Sequence, residues 1–281
     1  AQMMRRMGVK VTLVTRSHLL PGAEPEVSQA LTDAFTAEGI TLLTGLRYDS
    51  VRRDAAGVTL RIMQGGEPVE VTADHLVSTA GRRANTGGLG LEDIGVKTDA
   101  RGYIVTRDDM QTTVPGIYAA GDVTDRDQFV YMAAYGAKLA AKNAVLGDDQ
   151  RYDNSVMPWV VFSDPQVAGV GLSEQQARDA GFDVKTSVVP LDQVPRALAA
   201  RDTRGLIKLV ADKATDRLLG GQIIAPEGSD TIQTLVMALK FGMTTKALGE
   251  TIFPYLTTVE GLKLAAQTFD MDVAKLSCCA G

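Results

Sequence analysis

Thr112-Thr113-Val114-Pro115-Gly116-Ile117-Tyr118-Ala119-Ala120-Gly121-Asp122-Val123 reads as a Pro-Gly turn, a short apolar strand, and a small-residue end closing on Gly-Asp. Glycine at Gly121 lets a ligand approach the backbone, and the Asp122 carboxylate can accept hydrogen bonds from a hydroxylated chain. A helical pattern then runs from about Gln128 to Leu146 and stops at Gly147. Its N-terminus would face the same ligand and favour anionic or electron-rich groups. Such a strand-to-helix junction is where α/β sheets bind ligands, at strand carboxyl ends.

Working back toward the N-terminus, His75-Leu76-Val77-Ser78-Thr79 reads as an apolar strand running into Ala80-Gly81-Arg82-Arg83, a second ligand-side turn with Gly81 at its bend. Val58–Met63 and Val69–Thr72 flank Gly65-Gly66, a hairpin signal. Val27, Ala30, Leu31, Ala34 and Phe35 recur at helical spacing and end near Gly39. Val9–Thr15 is a β-branched strand, preceded by Met3, Met4, Met7 and Gly8, which read as the end of a helix and its cap. Helix end, glycine and strand look like the second half of a βαβ unit whose glycine-rich first turn would lie upstream. Dinucleotide folds often end that strand with an acid on the ribose 2′-hydroxyl. Here it ends Thr15-Arg16-Ser17-His18, so Arg16 is expected to favour a 2′-phosphate, and NADPH over NADH. No ligand-spaced partner accompanies either histidine, so both read as ordinary residues.

Downstream the composition changes after Asp148-Asp149. Met157–Gly171 contains a strand, Ser173-Glu174 cap a helix ending at Gly181, and Gly205–Ala211 and Leu218–Ala225 read as paired strands. Ile232, Leu235, Val236 and Leu239 make one apolar helical face, and a further helix follows Glu260. The expected fold is α/β and α+β, with 1–80 a partial NADPH-binding domain, 81–149 a central segment and 150–281 a C-terminal domain. At the end stands Leu276-Ser277-Cys278-Cys279-Ala280-Gly281, holding both cysteines of the chain. Two adjacent thiolates can grip one soft metal ion, can close a strained disulfide, or can be an incidental terminal pair.

A net charge of −5 argues against nucleic acid or an anionic membrane surface as the main partner. No apolar run approaches the ~20 residues a membrane span needs. Two neighbouring cysteines in so long a chain make no disulfide framework, which fits a reducing cytoplasm.

Thr112-x4-Ile117-Tyr118-Ala119-x-Gly121-Asp122 resembles the second flavin motif of the FAD-dependent pyridine nucleotide-disulfide reductases, and Ser78–Asn85 resembles that family's link out of the nicotinamide domain. The resemblance implies that Asp122 holds the ribityl chain of FAD and that the helix opening near Val130 lies over the flavin. Met157–Gly171 is similar to the first strand of the family's C-terminal dimerisation domain. In the dithiol members a His-x4-Glu pair stands where this chain has Tyr255 and Glu260. A phenol near pKa 10 is a poor base at neutral pH, but it offers a donor and a polarisable ring to a metal-thiolate.

Tyr255 and the Cys-Cys ending together resemble the mercuric reductase branch of the family. That branch implies an NADPH- and FAD-dependent enzyme in which electrons reach Hg(II) and release elemental mercury. Cys278 and Cys279 would capture the ion, Tyr255 and Glu260 would act near it, and the tail would serve the partner subunit's active site in a homodimer. The chain would then be a partial one, inactive by itself, since its only cysteines are in the tail. Two other readings stay open: another flavin disulfide reductase, such as a dihydrolipoamide dehydrogenase relative, and a non-enzymatic dimerisation or metal-binding module.

Overall fold

Helix α1 (Gln2–Arg6) stops where Gly8, at φ 91°, lets its N–H reach Arg5 O at 3.0 Å while Val9 N–H reaches Met4 O at 3.1 Å. Strand β1 (Thr12–Val14), helix α2 (Pro25–Ala37) and strand β2 (Thr41–Leu43) form a βαβ unit, with Thr12 beside Thr41 and Val14 beside Leu43 in a parallel pair. Proline at the first position of α2 removes a donor that would have no partner there. A three-stranded antiparallel meander follows, β3 (Leu46–Asp54), β4 (Gly57–Gln64) and β5 (Glu67–Ala73). The expected hairpin forms between β4 and β5. Gly65 and Gly66 both take positive φ, 60° and 91°, as a tight two-residue turn between twisted strands requires.

The computed structural model describes residues 1–55, 57–147 and 149–271. They divide into two units: Leu76–Asn154, and Ala1–His75 together with the residues from Ser155 onward. In Leu76–Asn154 the one long helix among the described residues is α3 (Val130–Leu146), capped by Gly147 in the left-handed region. Its inner face packs Met132, Leu139 and Ala140, and the latter two join Met110, Tyr118, Ala120 and Tyr152 in one apolar cluster. The expected strand at 75–79 is irregular and largely exposed, because among the described residues no ladder partner lies beside it. The apolar run at 117–119 makes only a single bridge, Tyr118 to Gln111. A turn stapled by Thr112 N–H to Ile117 O at 2.8 Å brings those two residues together.

The C-terminal part is an antiparallel sheet of β6 (Trp159–Val161), β7 (Gln166–Gly171), β8 (Val184–Pro190), β9 (Leu206–Asp212) and β10 (Leu218–Ala225), in the spatial order β6-β7-β10-β9-β8. Helix α4 (Glu174–Asp179) begins in a capping box between Ser173 and Gln176. Helices α5 (Pro195–Ala200), α6 (Gly228–Lys240), α7 (Thr245–Glu250) and α8 (Glu260–Gln267) complete the unit.

Strand periodicity assigns the two faces of this sheet. Ile207, Leu209, Ile223, Ala168 and Val170 enter the core built with α6, α7 and α8, where Ile232, Leu235, Leu248 and Leu262 are wholly or almost wholly buried. Each such side chain contributes roughly 1.5–3 kcal/mol by leaving water. The residues in between, Leu206, Ile224 and Val167, face the other way and meet Val27, Leu31 and Phe35 of α2. Thus α2 serves at once as the βαβ crossover and as a cover for the C-terminal sheet. The fold is α/β around β1-α2-β2 and α+β in the C-terminal part. Among the described residues no helix is long and apolar enough to cross a membrane.

Candidate functional site

Gly121 sits at φ 80°, ψ −161°, a region open essentially to glycine alone. A Cβ there would lie 3.1 Å from the Cβ of Ala133 on α3, a contact tight enough that the helix would have to give by a few tenths of an ångström. The Gly121 carbonyl accepts from the Thr124 N–H and from Thr124 Oγ1, both at 2.9 Å, and the Val123 carbonyl accepts from Ile104 N–H at 2.9 Å. The Gly-Asp turn is therefore pinned on three sides, and Asp122 stands half-exposed above it.

Arg82 closes the turn from the opposite segment. Its Nη1 donates to Asp122 Oδ2 at 2.5 Å and to the Gln128 carbonyl at 3.2 Å. Tyr103 Oη donates to the Arg82 carbonyl at 3.2 Å and accepts from Gln128 Nε2 at 3.1 Å. Gly81, at φ 124°, allows the bend that delivers Arg82. Val130, first residue of α3, is 84% exposed, so the helix opening presents an apolar side chain on this side. Gly81, Gly121, Asp122 and Val130, singled out from sequence, thus belong to one neighbourhood of this unit. Tyr103 and Gln128 belong to it too and carried no sequence signal, because each is an isolated polar residue in a loop. Asp122 Oδ1 keeps no partner among the described residues, so a hydroxyl donor can still be accepted there. A positive-φ glycine, an available carboxylate oxygen, a guanidinium and a bare helix opening are a donor set that fits a hydroxylated, anionic cofactor such as FAD.

In the other unit, Arg16 lies at the carboxyl end of β1, where its carbonyl accepts from Leu46 N–H at 3.1 Å. Its side chain is exposed and pairs with no carboxylate among the described residues. A guanidinium held on a fixed backbone with no internal partner fits a phosphate ligand.

The loop into α8 carries Tyr255 and Glu260. Tyr255 is 60% exposed, whereas Glu260 is buried at 4%. Glu260 Oε2 accepts the Leu256 N–H at 3.1 Å, and Leu256 occupies the left-handed region at φ 63°. Thr257 Oγ1 donates to the Pro254 carbonyl at 2.8 Å and accepts the Glu260 N–H at 3.3 Å. Sequence reasoning named Tyr255 and Glu260 but not the turn that binds them. Cys278 and Cys279 lie outside the described residues.

Sequence profiles place these parts in a known family. The pyridine nucleotide-disulphide oxidoreductase profile matches residues 1–141, and the profile of that family's dimerisation domain matches residues 157–266. The chain belongs to the pyridine nucleotide-disulphide oxidoreductase family. Within this oxidoreductase family it is 47% identical to a mercuric reductase of Bacillus cereus and 44% identical to one of Staphylococcus aureus, in both cases over all of this chain but only 44% and 51% of the relative. The chain therefore spans about half the length of the curated relatives it matches. Among solved structures, the HOCl-induced flavoprotein disulfide reductase RclA from Escherichia coli superimposes with a TM-score of 0.84 at 26% identity, over 95% of this chain and 61% of that one. In the oxidoreductase framework the first profile spans the βαβ unit, the meander and the Gly121–Asp122 neighbourhood. The second spans the five-stranded sheet and reaches Ala266 in α8.

Proposed function

We propose that this oxidoreductase acts in NADPH-dependent reduction of Hg(II) to elemental mercury, as part of a homodimeric cytoplasmic flavoenzyme. The reading is carried by the mercuric reductase relatives, 47% and 44% identical over an alignment that spans the whole chain. The net reaction balances as Hg(II) plus NADPH giving Hg(0), NADP⁺ and one proton, two electrons moving together.

FAD, when bound, would supply the two-electron redox chemistry that links the nicotinamide to the metal. Asp122 holds its hydroxylated chain, Gly121 and Gly81 let it approach the backbone, and Val130 shields it. Arg16 binds the 2′-phosphate of NADPH through a charge-assisted contact. Cys278 and Cys279 take Hg(II) from incoming thiol complexes by stepwise thiolate substitution, because soft sulfur ligands select soft metals. The tail then delivers the ion to the partner subunit's active site, where Tyr255 steadies it.

The test uses the complete product of the gene. NADPH oxidation should depend on Hg(II) and yield volatile mercury, and no lipoamide reduction should accompany it. The roles of the tail and Tyr255 are read from single-turnover flavin reoxidation by Hg(II) in the Cys278→Ala/Cys279→Ala and Tyr255→Phe proteins. The tail variant should be slowest when Hg(II) arrives on bulky thiols and less affected with small, labile ligands. Loss of the Tyr255 hydroxyl should slow the step by about ten- to a hundred-fold, as expected of a transition-state contact of ~1.4–2.8 kcal/mol. Parental rates in both variants with every mercury ligand would remove the tail and Tyr255 from the metal's path.

A further inference from the structure

Glu260 is buried at the first position of α8, yet it faces no histidine and no lysine or arginine among the described residues. Its carboxylate is spent on a backbone group, the Leu256 N–H, 3.1 Å from Oε2. That N–H belongs to the one residue of the 252–259 loop with positive φ, 63°, a conformation in which a leucine's Cβ crowds the neighbouring carbonyl oxygen. The same loop is tied at Thr257, whose hydroxyl bridges the Pro254 carbonyl and the Glu260 N–H. Between these two ties stands Tyr255. Strained backbone persists only where its surroundings over-determine it, and here the over-determining group is the carboxylate of Glu260.

We infer that Glu260 is a positioning residue: by accepting the Leu256 N–H it holds the left-handed turn that aims Tyr255 outward, and it takes no part in proton transfer. The inference rests on the proposed role of Tyr255 toward Hg(II). It separates two uses of one carboxylate by chemistry. A proton-transfer role needs an ionisable group, whereas an acceptor for one N–H can be a neutral amide oxygen of the same shape.

The complete gene product carrying Glu260→Gln should therefore keep its Hg(II) turnover within about threefold of the parent, with an unshifted pH profile, because the glutamine oxygen still accepts the N–H. Glu260→Ala should lower kcat by about tenfold or more with a smaller change in KM, as expected when a group is misaimed and not lost. Amide hydrogen exchange gives a readout independent of mercury. The Leu256 N–H should be protected in the parent and in Glu260→Gln and exchange at least about tenfold faster in Glu260→Ala, while the Leu262 amide in the core stays slow in all three. A glutamine variant as impaired as the alanine variant, or a Leu256 amide indifferent to both, overturns the inference. If the parent reduces no Hg(II) while Leu256 exchange follows this pattern, the positioning role stands and the mercury reading falls.

Discussion

The ammonium of Lys208 lies 2.9 Å from the carboxylate of Glu24, with the two side chains only 2% and 4% exposed. Lys208 sits on β9 between Ile207 and Leu209, which enter the core, so strand alternation turns it to the opposite face, toward α2. There its Nζ also meets Glu26 at 2.9 Å and Glu174 at 2.9 Å. The second oxygen of Glu24 accepts the Glu174 N–H at 2.6 Å, and Gln222 Oε1 accepts the Glu24 N–H at 2.7 Å. One lysine thus fastens the βαβ unit to the sheet matched by the dimerisation profile. Apolar contacts of Val27, Leu31 and Phe35 with Val167 and Ile224 surround the cluster.

Removing the lysine while leaving its acids should be costly. Lys208→Met strands the buried Glu24 carboxylate without its cation, a change worth roughly 3–5 kcal/mol for a broken buried pair. Adding Glu24→Gln should recover part of that loss, because the remaining group is neutral. Urea denaturation of the three proteins measures it. A loss below about 1 kcal/mol in Lys208→Met would show that water or Arg178 replaces the lysine at little cost.

The same cluster sets an acid limit on stability. Arg178 first, and then Lys208, hold the Glu174 carboxyl below its ordinary value of 4.5, against the opposing effect of burial. A lowered folded-state value means the contribution is fully present above the unfolded value and is lost as pH falls through the folded one. For Lys208, burial pulls the pKa down, but the three glutamates outweigh it and leave it raised. Its contribution is therefore full below the ordinary lysine value and lost only in strong alkali. Melting temperature should be flat between these limits and fall on acidification below about pH 4.5. Glu174→Gln should make the acid fall shallower, and an unchanged acid limb would detach Glu174 from it.

Flavin retention tests the Gly-Asp turn. In the complete gene product, Asp122→Ala should release FAD on dilution and gel filtration, read as loss of the yellow chromophore. Arg82→Ala should weaken binding less, because its half-exposed pair with Asp122 is worth about 0–1 kcal/mol and the Asp122 oxygens survive it. A full flavin complement in purified Asp122→Ala would exclude the ribityl role.

Nucleotide choice tests Arg16. Arg16→Glu should raise KM for NADPH by about ten- to a hundred-fold, the range set by ~1.5–3 kcal/mol for a charge-assisted contact, and leave KM for NADH much less changed. Equal effects on both nucleotides would mean that Arg16 does not read the 2′-phosphate.

What the amino-acid order determined alone is whatever short-range periodicity or turn chemistry encodes. The apolar repeat of Val27, Leu31 and Phe35 made α2, Ser173 and Gln176 capped α4, and Gly65-Gly66 closed the meander, because each depends on residues within a few positions of one another. The Gly121–Asp122 junction was legible for the same reason. Only the tertiary structure decided the rest. Residues 75–79 have the composition of a strand but take none, since a strand exists through its neighbour's hydrogen bonds. Glu24 and Lys208 are 184 positions apart, and no local pattern marks a lysine on a buried strand as the partner of an acid ahead of a helix. Glu260 was visible as a candidate, but its engagement was not: whether a carboxylate moves a proton or holds a strained N–H depends on where the fold brings the Leu256 backbone.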